Sequence, residues 1–131
     1  MATITYTVTV ATGQNAFGAG TNKFFINGEV SPVLYLQEGN TYIFDTSDSS
    51  NASNQLLFSS TKDGTNTAGG VNYTNGVTVT GTAGTTGALI TIIVAPVRTV
   101  GAPVLFYYSA TTAGMGNTAQ TISPTSETTS F

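Results

Sequence analysis

The sequence contains no cysteine, no histidine and no tryptophan, and only 7% of its 131 residues are charged. The lack of cysteine excludes a disulfide, a thiolate nucleophile and a cysteine-ligated metal. The lack of histidine removes the usual general acid–base group at neutral pH and the commonest metal ligand. These absences predict a protein that is not an enzyme, has no catalytic or metal-binding residues, and needs no cofactor.

Positive charge is equally scarce, because the only cations are Lys23, Lys62 and Arg98, which lie far apart in the sequence. A basic patch for nucleic acid is therefore not expected. The net charge of −3 gives little self-repulsion, and a surface with so few charges is poorly protected against association. The composition predicts that much of this surface lies against other protein.

The length of the chain is close to that of one domain. We predict a single β-sandwich domain over residues 1–123 and a polar C-terminal tail over residues 124–131. The first ten residues, MATITYTVTV, have no basic start and no continuous apolar run, so they do not resemble a signal peptide. The most apolar stretch, Ala88–Val97, is too short to cross a bilayer, and no membrane partner is expected.

Threonine is abundant and alternates with apolar residues near the N-terminus. Ile4, Tyr6, Val8 and Val10 are separated by single threonines. This period of two predicts a half-buried strand with one apolar face and one face of hydroxyl groups. Further strands are predicted at Lys23–Ile26, Val33–Leu36, Thr41–Asp45, Gln55–Ser59, Val77–Thr80, Ala88–Ala95, Val104–Tyr108 and Thr118–Ile122.

The connections are rich in glycine and asparagine. Asn27-Gly28 tolerates the positive φ angles of a tight hairpin turn, and VLYLQEGNTYIFD predicts a hairpin around its central EGN. The nearly continuous apolar run of Ala88–Ala95 predicts burial on both faces, whereas Thr118–Ile122 is expected at a sheet edge. Long loops are predicted at Thr12–Thr21 and Thr61–Asn72.

No segment shows a helical period or a capping signature. About seven to nine short strands, separated by turns, are typical of a fold with two packed sheets. We therefore predict an all-β fold, a two-sheet antiparallel β-sandwich with no significant helix.

Six carboxylates are the remaining candidates for acid–base chemistry or for binding Ca²⁺. They are Glu29, Glu38, Asp45, Asp48, Asp63 and Glu127. Asp45 and Asp48 are close in sequence, and a turn or capping role explains them better than catalysis does. Asp48 and Asp63 could contribute to a Ca²⁺ site with loop carbonyls, but the ligand spacing of a calcium motif is missing. We expect none of the six to be a site residue.

The segment PVLFYYSATTAGMG resembles the ligand loop of cupredoxins, where a strand ends in a cysteine, a histidine follows three residues later, and a methionine lies just beyond. Here Ser109, Thr112 and Met115 occupy those three positions. The segment VLYLQEGNTYIFDTSDSSNASNQLLFS resembles the hairpin that precedes the first histidine ligand, whose position falls at Asn54 or its neighbour.

This resemblance implies a Greek-key, cupredoxin-like sandwich that has lost its copper ligands. A blue-copper site needs two imidazoles and a thiolate beside a weak axial methionine, and Met115 alone cannot hold copper. The hypothesis of a degenerate electron-transfer protein therefore lacks the metal ligands that it needs. Met115 is expected to fill a gap in a loop or in the core.

A second resemblance concerns whole stretches of sequence. The runs YTVTVATGQNAFGAG, FFINGEVSPVLYLQEGNTYIFDTSDSSN and YYSATTAGMG together resemble cupredoxin-like domains in structural proteins of cyanophages and other marine tailed phages. The likeness covers residues 4–116. It implies a non-enzymatic virion structural protein, most simply a capsid decoration or cement protein that binds and stabilises the assembled shell.

The implied partners are the major capsid protein and copies of the chain itself, arranged as a homo-trimer or another cyclic assembly. The implied location is the virion, on the capsid surface rather than the tail, after synthesis in the host cytoplasm. The candidate contact elements are the strand Ile4–Val10, the loops Thr12–Thr21 and Thr61–Asn72, and the tail Pro124–Phe131.

The alternative function is a receptor- or glycan-binding domain of a tail fibre or spike. In that case Tyr73, Tyr107 or Tyr108 would stack on sugar rings, although such tyrosines are more often core or interface residues. A sugar-binding tip would bind oligosaccharide in isolation, whereas a cement protein would not.

Overall fold

The computed structural model of the chain describes residues 2–95 and 104–122, which form ten β-strands and two short 3₁₀ turns. The strands are β1 Thr3–Asn15, β2 Gly18–Ile26, β3 Glu29–Val30, β4 Leu34–Gln37, β5 Thr41–Asp45, β6 Leu56–Ser59, β7 Val77–Thr80, β8 Leu89–Ile93, β9 Leu105–Ser109 and β10 Asn117–Ile122. The 3₁₀ turns are Ser49–Asn51 and Gly64–Asn66. The described ranges contain no α-helix, and the all-β prediction is confirmed.

The strands form two sheets, a six-stranded one in the order β3-β2-β1-β5-β8-β7 and a four-stranded one in the order β4-β10-β9-β6. Apolar side chains from both sheets meet in one buried core, which confirms the sandwich. Its fully buried members include Val8, Phe24, Leu36, Phe44, Leu56, Phe58, Ile90 and Met115.

Each sheet contains one parallel pair, so the sheets are mixed rather than wholly antiparallel. Strand β1 runs parallel to β5, and β10 runs parallel to β4. In both pairs several other strands lie between the two partners in the sequence. Parallel neighbours require such a long connection. Such long-range pairing leaves no local mark in the sequence.

The alternation predicted for the N-terminal strand is confirmed, but the strand continues beyond Val10 to Asn15. It pairs with β2 as a long hairpin around Ala16 and Phe17, so the predicted loop at Thr12–Thr21 is wrong. Glycine misled the prediction because the ladder here takes up a register shift after Gly13. A glycine inside a strand often marks such a bulge rather than a loop.

The predicted hairpin between β4 and β5 is also wrong. The turn between them passes the chain from the four-stranded sheet to the six-stranded sheet. Leu36 and Phe44 therefore face the same core from opposite sides. The period of two is the same for a hairpin and for a change of sheet, so the pattern alone could not distinguish them.

Two predictions about position within a sheet need correction. In β8, Ile90 and Ile92 are buried whereas Ile93 is 57% exposed, so only one face is covered. The run of apolar residues misled because Leu89 and Ile93 lie on an outer face. Strand β10, predicted at an edge, lies between β4 and β9, where its buried Ala119 packs into the core.

The predicted turn at Asn27-Gly28 is confirmed, with φ angles of 51° and 86° between β2 and β3. Positive φ at both central residues is the geometry that favours Asn-Gly in tight hairpins. Arg98, Glu127 and the predicted tail at Pro124–Phe131 lie outside the described residues, as does the predicted domain end at residue 123.

Candidate functional site

The structure brings together three of the four positions that correspond to copper ligands in the cupredoxin resemblance. The Ser109 hydroxyl donates to the Asn54 side-chain oxygen at 3.1 Å, and the Thr112 hydroxyl donates to the same oxygen at 2.8 Å. The Thr112 backbone N–H donates to the Ser109 hydroxyl at 3.2 Å. We call these three residues the Asn54 cluster.

The Asn54 cluster is neutral and closed. Ser109 is fully buried and Asn54 is 8% exposed, and both are satisfied by hydrogen bonds inside the cluster. Thr111 extends it, because its hydroxyl donates to the Ser53 carbonyl. An amide and two hydroxyls lack the imidazole and thiolate donors that hold copper. The cluster therefore joins the loop before β6 to the loop after β9.

Met115 lies apart from this chemistry, since its side chain is fully buried among the core residues. Its backbone carbonyl accepts hydrogen bonds from the Phe24 N–H at 3.0 Å and from the Ser31 hydroxyl at 3.0 Å. Across residues 2–95 and 104–122, no three His, Cys, Asp or Glu side chains are grouped so that they could hold a metal ion.

Asp45 and Asp48 each stabilise a local turn. The Asp45 carboxylate accepts from the Ser47 N–H at 2.9 Å and from the Ser47 hydroxyl at 2.6 Å, which lowers the Asp45 pKa. Asp48 caps the first 3₁₀ turn by accepting from Ser50, and the Ser50 hydroxyl and N–H lower the Asp48 pKa. Both arrangements keep the carboxylates ionised and fit a turn role.

The other described carboxylates are separate from these two. Glu29 lies exposed on the edge strand β3, and Glu38 lies in the turn after β4, where its Oε2 atom is buried without a hydrogen-bond partner. Asp63 accepts from the Gly114 N–H with both carboxylate oxygens at 3.1 Å.

The tyrosines considered for sugar stacking do not present free rings. Tyr107 and Tyr108 are each 1% exposed, and Tyr73 is half-buried against the core. Burial also raises the pKa of Tyr107 far above its ordinary value. The core role that the sequence favours for such tyrosines is confirmed for Tyr107 and Tyr108, whose rings lie in the sandwich or beneath a loop. Within the described ranges, the exposed aromatic rings are instead Tyr35, at 60%, and Phe17, at 38%.

A pocket of about 120 Å³, which sequence reasoning missed, opens beside Phe17. We call it the Phe17 pocket, and its lining residues are Ala16, Phe17, Lys62, Asp63, Phe106, Asn117 and Thr118. They come from the β1–β2 turn, the Thr61–Asn72 loop, β9 and β10. The only sequence signal was indirect, because both loops predicted as contact elements supply its walls.

The glycine at position 114 fixes one wall of the Phe17 pocket. Its N–H binds Asp63, while its carbonyl accepts from the buried Lys23 ammonium at 2.9 Å and from the Asn15 amide at 2.9 Å. Gly114 has φ +80°, and a Cβ there would lie 3.1 Å from the Phe17 Cβ. Glycine therefore allows the close approach of the hairpin turn to this segment.

The Thr61–Asn72 loop is a surface loop as predicted, but it packs tightly on β9. Gly64, with φ +54°, lies directly on the ring of Tyr108, where a Cβ would come within 2.5 Å of ring atoms. The Asn66 amide donates to the Ser109 carbonyl at 2.9 Å. The loop therefore positions Lys62 over the Phe17 ring. The Lys62 ammonium lies 5.4 Å from the centroid of that ring.

The outer face of the six-stranded sheet carries rows of threonine. In one row Thr5, Ile43, Thr91 and Thr78 are aligned across β1, β5, β8 and β7. We call this surface the threonine face, and its members are Thr3, Thr5, Thr7, Thr41, Ile43, Asp45, Thr78, Thr80, Leu89, Thr91 and Ile93. Asp45 is its one charged member, and a shallow depression beside Ile43 has a volume of about 330 Å³.

Within the described residues, no helix has the length and apolar character needed to cross a membrane. No protein-family model, no curated protein and no solved structure matches the chain. The likeness to cupredoxins and to domains of phage virion proteins therefore stays a prediction.

Proposed function

We propose that the chain is a non-enzymatic structural protein of a tailed-phage virion, acting as a decoration or cement protein that binds and stabilises the assembled shell. Its partners would be the major capsid protein and further copies of itself in a cyclic assembly, at the capsid surface. The observation that carries the proposal is the threonine face, a broad β-surface with one charge among eleven side chains.

The threonine face suits contact with another protein for two reasons. Burial of the threonine methyl groups and of the side chains of Ile43 and Ile93 is favourable, and the threonine hydroxyls can pair with polar groups of a partner. Few charges need to be desolvated, which removes a large cost of burying a surface. Its N-terminal part is the strand that the sequence predicts as a contact element.

The Asn54 cluster supports the non-enzymatic part of the proposal. A cupredoxin-like lineage would place metal ligands at these positions, and this chain has neutral, mutually hydrogen-bonded side chains there. Such a cluster stabilises two loops without offering a base, a nucleophile or a metal site. In this account the scaffold is retained for its shape.

The mechanism would be thermodynamic. A protein that binds the assembled shell but not its free subunits stabilises the shell by mass action, as any ligand stabilises the state that it binds. An interface of the usual size buries about 800 Å² on each partner. A face of four neighbouring strands can provide a contact of that order together with adjoining loops.

Binding to shells tests the proposal. Capsids of a phage that encodes the chain, prepared without it, are mixed with the purified protein and sedimented. We expect the chain to sediment with the capsids and to raise the temperature at which they disrupt. The double variant Thr5→Lys/Thr78→Lys, which places two charges on exposed positions of the threonine face, should bind at least about tenfold more weakly, a loss of about 1.4 kcal/mol.

The matched control is Tyr35→Lys, which adds a charge at an exposed position of the four-stranded sheet. It should bind capsids as the unmodified chain does. Capsids that neither bind the chain nor gain stability would contradict the proposal. Equal binding by both lysine variants would remove the threonine face from it.

The alternative, a receptor- or glycan-binding domain of a tail fibre or spike, loses the aromatic residues first considered for it. Because Tyr107 and Tyr108 are buried, the exposed aromatic rings left for stacking among residues 2–95 and 104–122 are Phe17 and Tyr35. The Phe17 pocket is the observation that keeps a sugar-binding activity open, and it does not depend on where in a virion the chain lies.

A further inference from the structure

The Phe17 pocket combines apolar walls with polar groups that retain hydrogen-bonding capacity. Phe17 and Phe106 supply aromatic rings, and Phe17 is 38% exposed. Among the described residues, the Lys62 ammonium and the Thr118 hydroxyl have no hydrogen-bond partner. The Asp63 oxygens each accept one bond from Gly114 and retain further lone pairs.

Two of the charged groups of the pocket make contacts within the protein. Asp63 adopts a left-handed conformation with φ +61°, which its two bonds to the Gly114 N–H stabilise. Lys62 lies over the Phe17 ring at a distance typical of cation–π contacts. The chain therefore presents a carboxylate, an ammonium and a hydroxyl around one small space.

The charges indicate what kind of ligand fits. Lys62 and Asp63 are adjacent and opposite, so the pocket has no net charge to favour an anion or a cation. A purely apolar ligand would remove water from Asp63 and Thr118 without replacing its hydrogen bonds, which is costly. A fitting ligand is neutral and carries an apolar face beside an edge of hydroxyl groups.

We propose that the Phe17 pocket binds one pyranose ring of a neutral glycan. The C–H face of the ring would pack on Phe17 and Phe106, and the Asp63 carboxylate would accept hydrogen bonds from sugar hydroxyls. Lys62 and Thr118 would donate to hydroxyl oxygens. The volume of about 120 Å³ suits a single ring that remains partly open to solvent, as it must be within a longer chain.

This binding activity goes beyond shell stabilisation. The Phe17 pocket and the threonine face share no residue, so one surface can dock on a shell while the other remains available. A decoration protein with such a pocket would add weak, repeated glycan contacts to the outside of a particle. Many copies would raise the avidity of contacts that are weak singly.

The test is an NMR titration of the full chain, labelled with ¹⁵N, against glucose, galactose, mannose and N-acetylglucosamine in turn. At least one sugar should shift the backbone amide signals of Phe17, Asp63 and Thr118, with a dissociation constant on the order of 1 mM. Folded protein whose amides in the pocket respond to none of the four sugars would overturn the proposal.

Three variants locate the binding. Phe17→Ala removes the stacking surface, and Asp63→Asn keeps an acceptor for the Gly114 N–H while removing the charge. Each should weaken sugar binding about tenfold or more. Tyr35→Ala removes the other exposed aromatic ring and should leave binding unchanged. Binding that survives Phe17→Ala, or that is lost in Tyr35→Ala, would show that the pocket is not the site.

This titration and the sedimentation experiment fail independently. A chain that binds capsids but no sugar would retain the decoration function and lose the pocket. A chain that binds sugar at the pocket but no capsid would retain the pocket and favour the fibre or spike alternative.

Discussion

The Asn54 cluster and the Phe17 pocket both include residues of β9 and of the chain that follows it, yet they use polar side chains to opposite effect. In the Asn54 cluster the amide and hydroxyls bind one another and are buried. In the Phe17 pocket, Lys62, Asp63 and Thr118 face a space that is open to solvent. The Asn54 cluster, which the cupredoxin resemblance indicates as a site, is closed by its own hydrogen bonds. The Phe17 pocket, which the resemblance does not indicate, is open to solvent.

The difference arises from the partners available in each region. In the Asn54 cluster, the Asn54 side-chain oxygen accepts from the hydroxyls of both Ser109 and Thr112. At the Phe17 pocket, glycine at position 114 lets the β1–β2 turn approach, and a space remains between the turn and the loop that carries Lys62 and Asp63. Polar satisfaction indicates a structural role, and unsatisfied polar groups beside exposed rings indicate a place for a ligand.

The largest effect is expected from Gly64→Ala, which disturbs the loop that both regions share. The new Cβ would meet the Tyr108 ring at 2.5 Å, and φ +54° is unfavourable for alanine. We expect a loss of about 3 kcal/mol in the free energy of unfolding, measured by urea denaturation.

Gly69→Ala provides the control for this loop. Its φ is +81°, but no atom lies within 4 Å of the new Cβ, so only the backbone cost of about 1 kcal/mol remains. Equal losses for the two variants would show that packing on Tyr108 does not position the loop.

A smaller loss is expected when the Asn54 cluster is opened. Asn54→Leu removes the acceptor of three hydroxyls and leaves the buried Ser109 hydroxyl without the amide oxygen to which it donates. The free energy of unfolding should fall by about 2 kcal/mol. Asn22→Ala, at an exposed position of β2, should change it by less than about 0.5 kcal/mol. If Asn54→Leu is as stable as the unmodified chain, the cluster does not stabilise the two loops that it joins.

Phe17→Ala should separate stability from binding. Because the ring is partly exposed at a hairpin turn, its removal should lower the free energy of unfolding by less than about 1 kcal/mol. The same variant should lose the sugar-dependent NMR shifts. A loss of stability as large as that of Asn54→Leu would place Phe17 with the structural residues and weaken the contrast between the two regions.

The smallest effect concerns pH. Hydrogen bonds from Ser47 lower the pKa of Asp45 below 3.8, so the folded state favours the ionised carboxylate. This contribution is present above the unfolded pKa and is lost as the pH falls through the folded value. Since the chain has no histidine, stability should stay nearly level from about pH 5 to pH 8 and fall in more acidic solution.

Urea denaturation across this pH range tests the assignment by comparing the unmodified chain with Asp45→Asn. The variant should show a shallower loss of stability in acid. Identical pH profiles would indicate that other carboxylates control the acid transition.

Local patterns predicted much of the fold. The alternation around Tyr6 and Val8 and the Asn27-Gly28 turn depend on neighbouring residues, and the structure confirms them. The change of sheet between β4 and β5 and the interior place of β10 depend on partners far away in the sequence. Their side-chain pattern is the same in either arrangement, so sequence periodicity could not decide them.

The two candidate sites show the same limit. Resemblance alone grouped Asn54, Ser109 and Thr112, and the structure brings them within hydrogen-bonding distance. The Phe17 pocket combines a hairpin turn, a loop and two strands of the other sheet, and no motif joins Phe17 to Asp63 or Thr118. Only the folded structure shows that the Phe17 ring and the Asp63 carboxylate line the same pocket.

The most direct test of the account is to locate the protein on purified virions with a specific antibody and electron microscopy. The account predicts label distributed over the head, as expected of a protein that docks on the shell through its threonine face. Label confined to the tail or its tip, or no label on any particle, would contradict it.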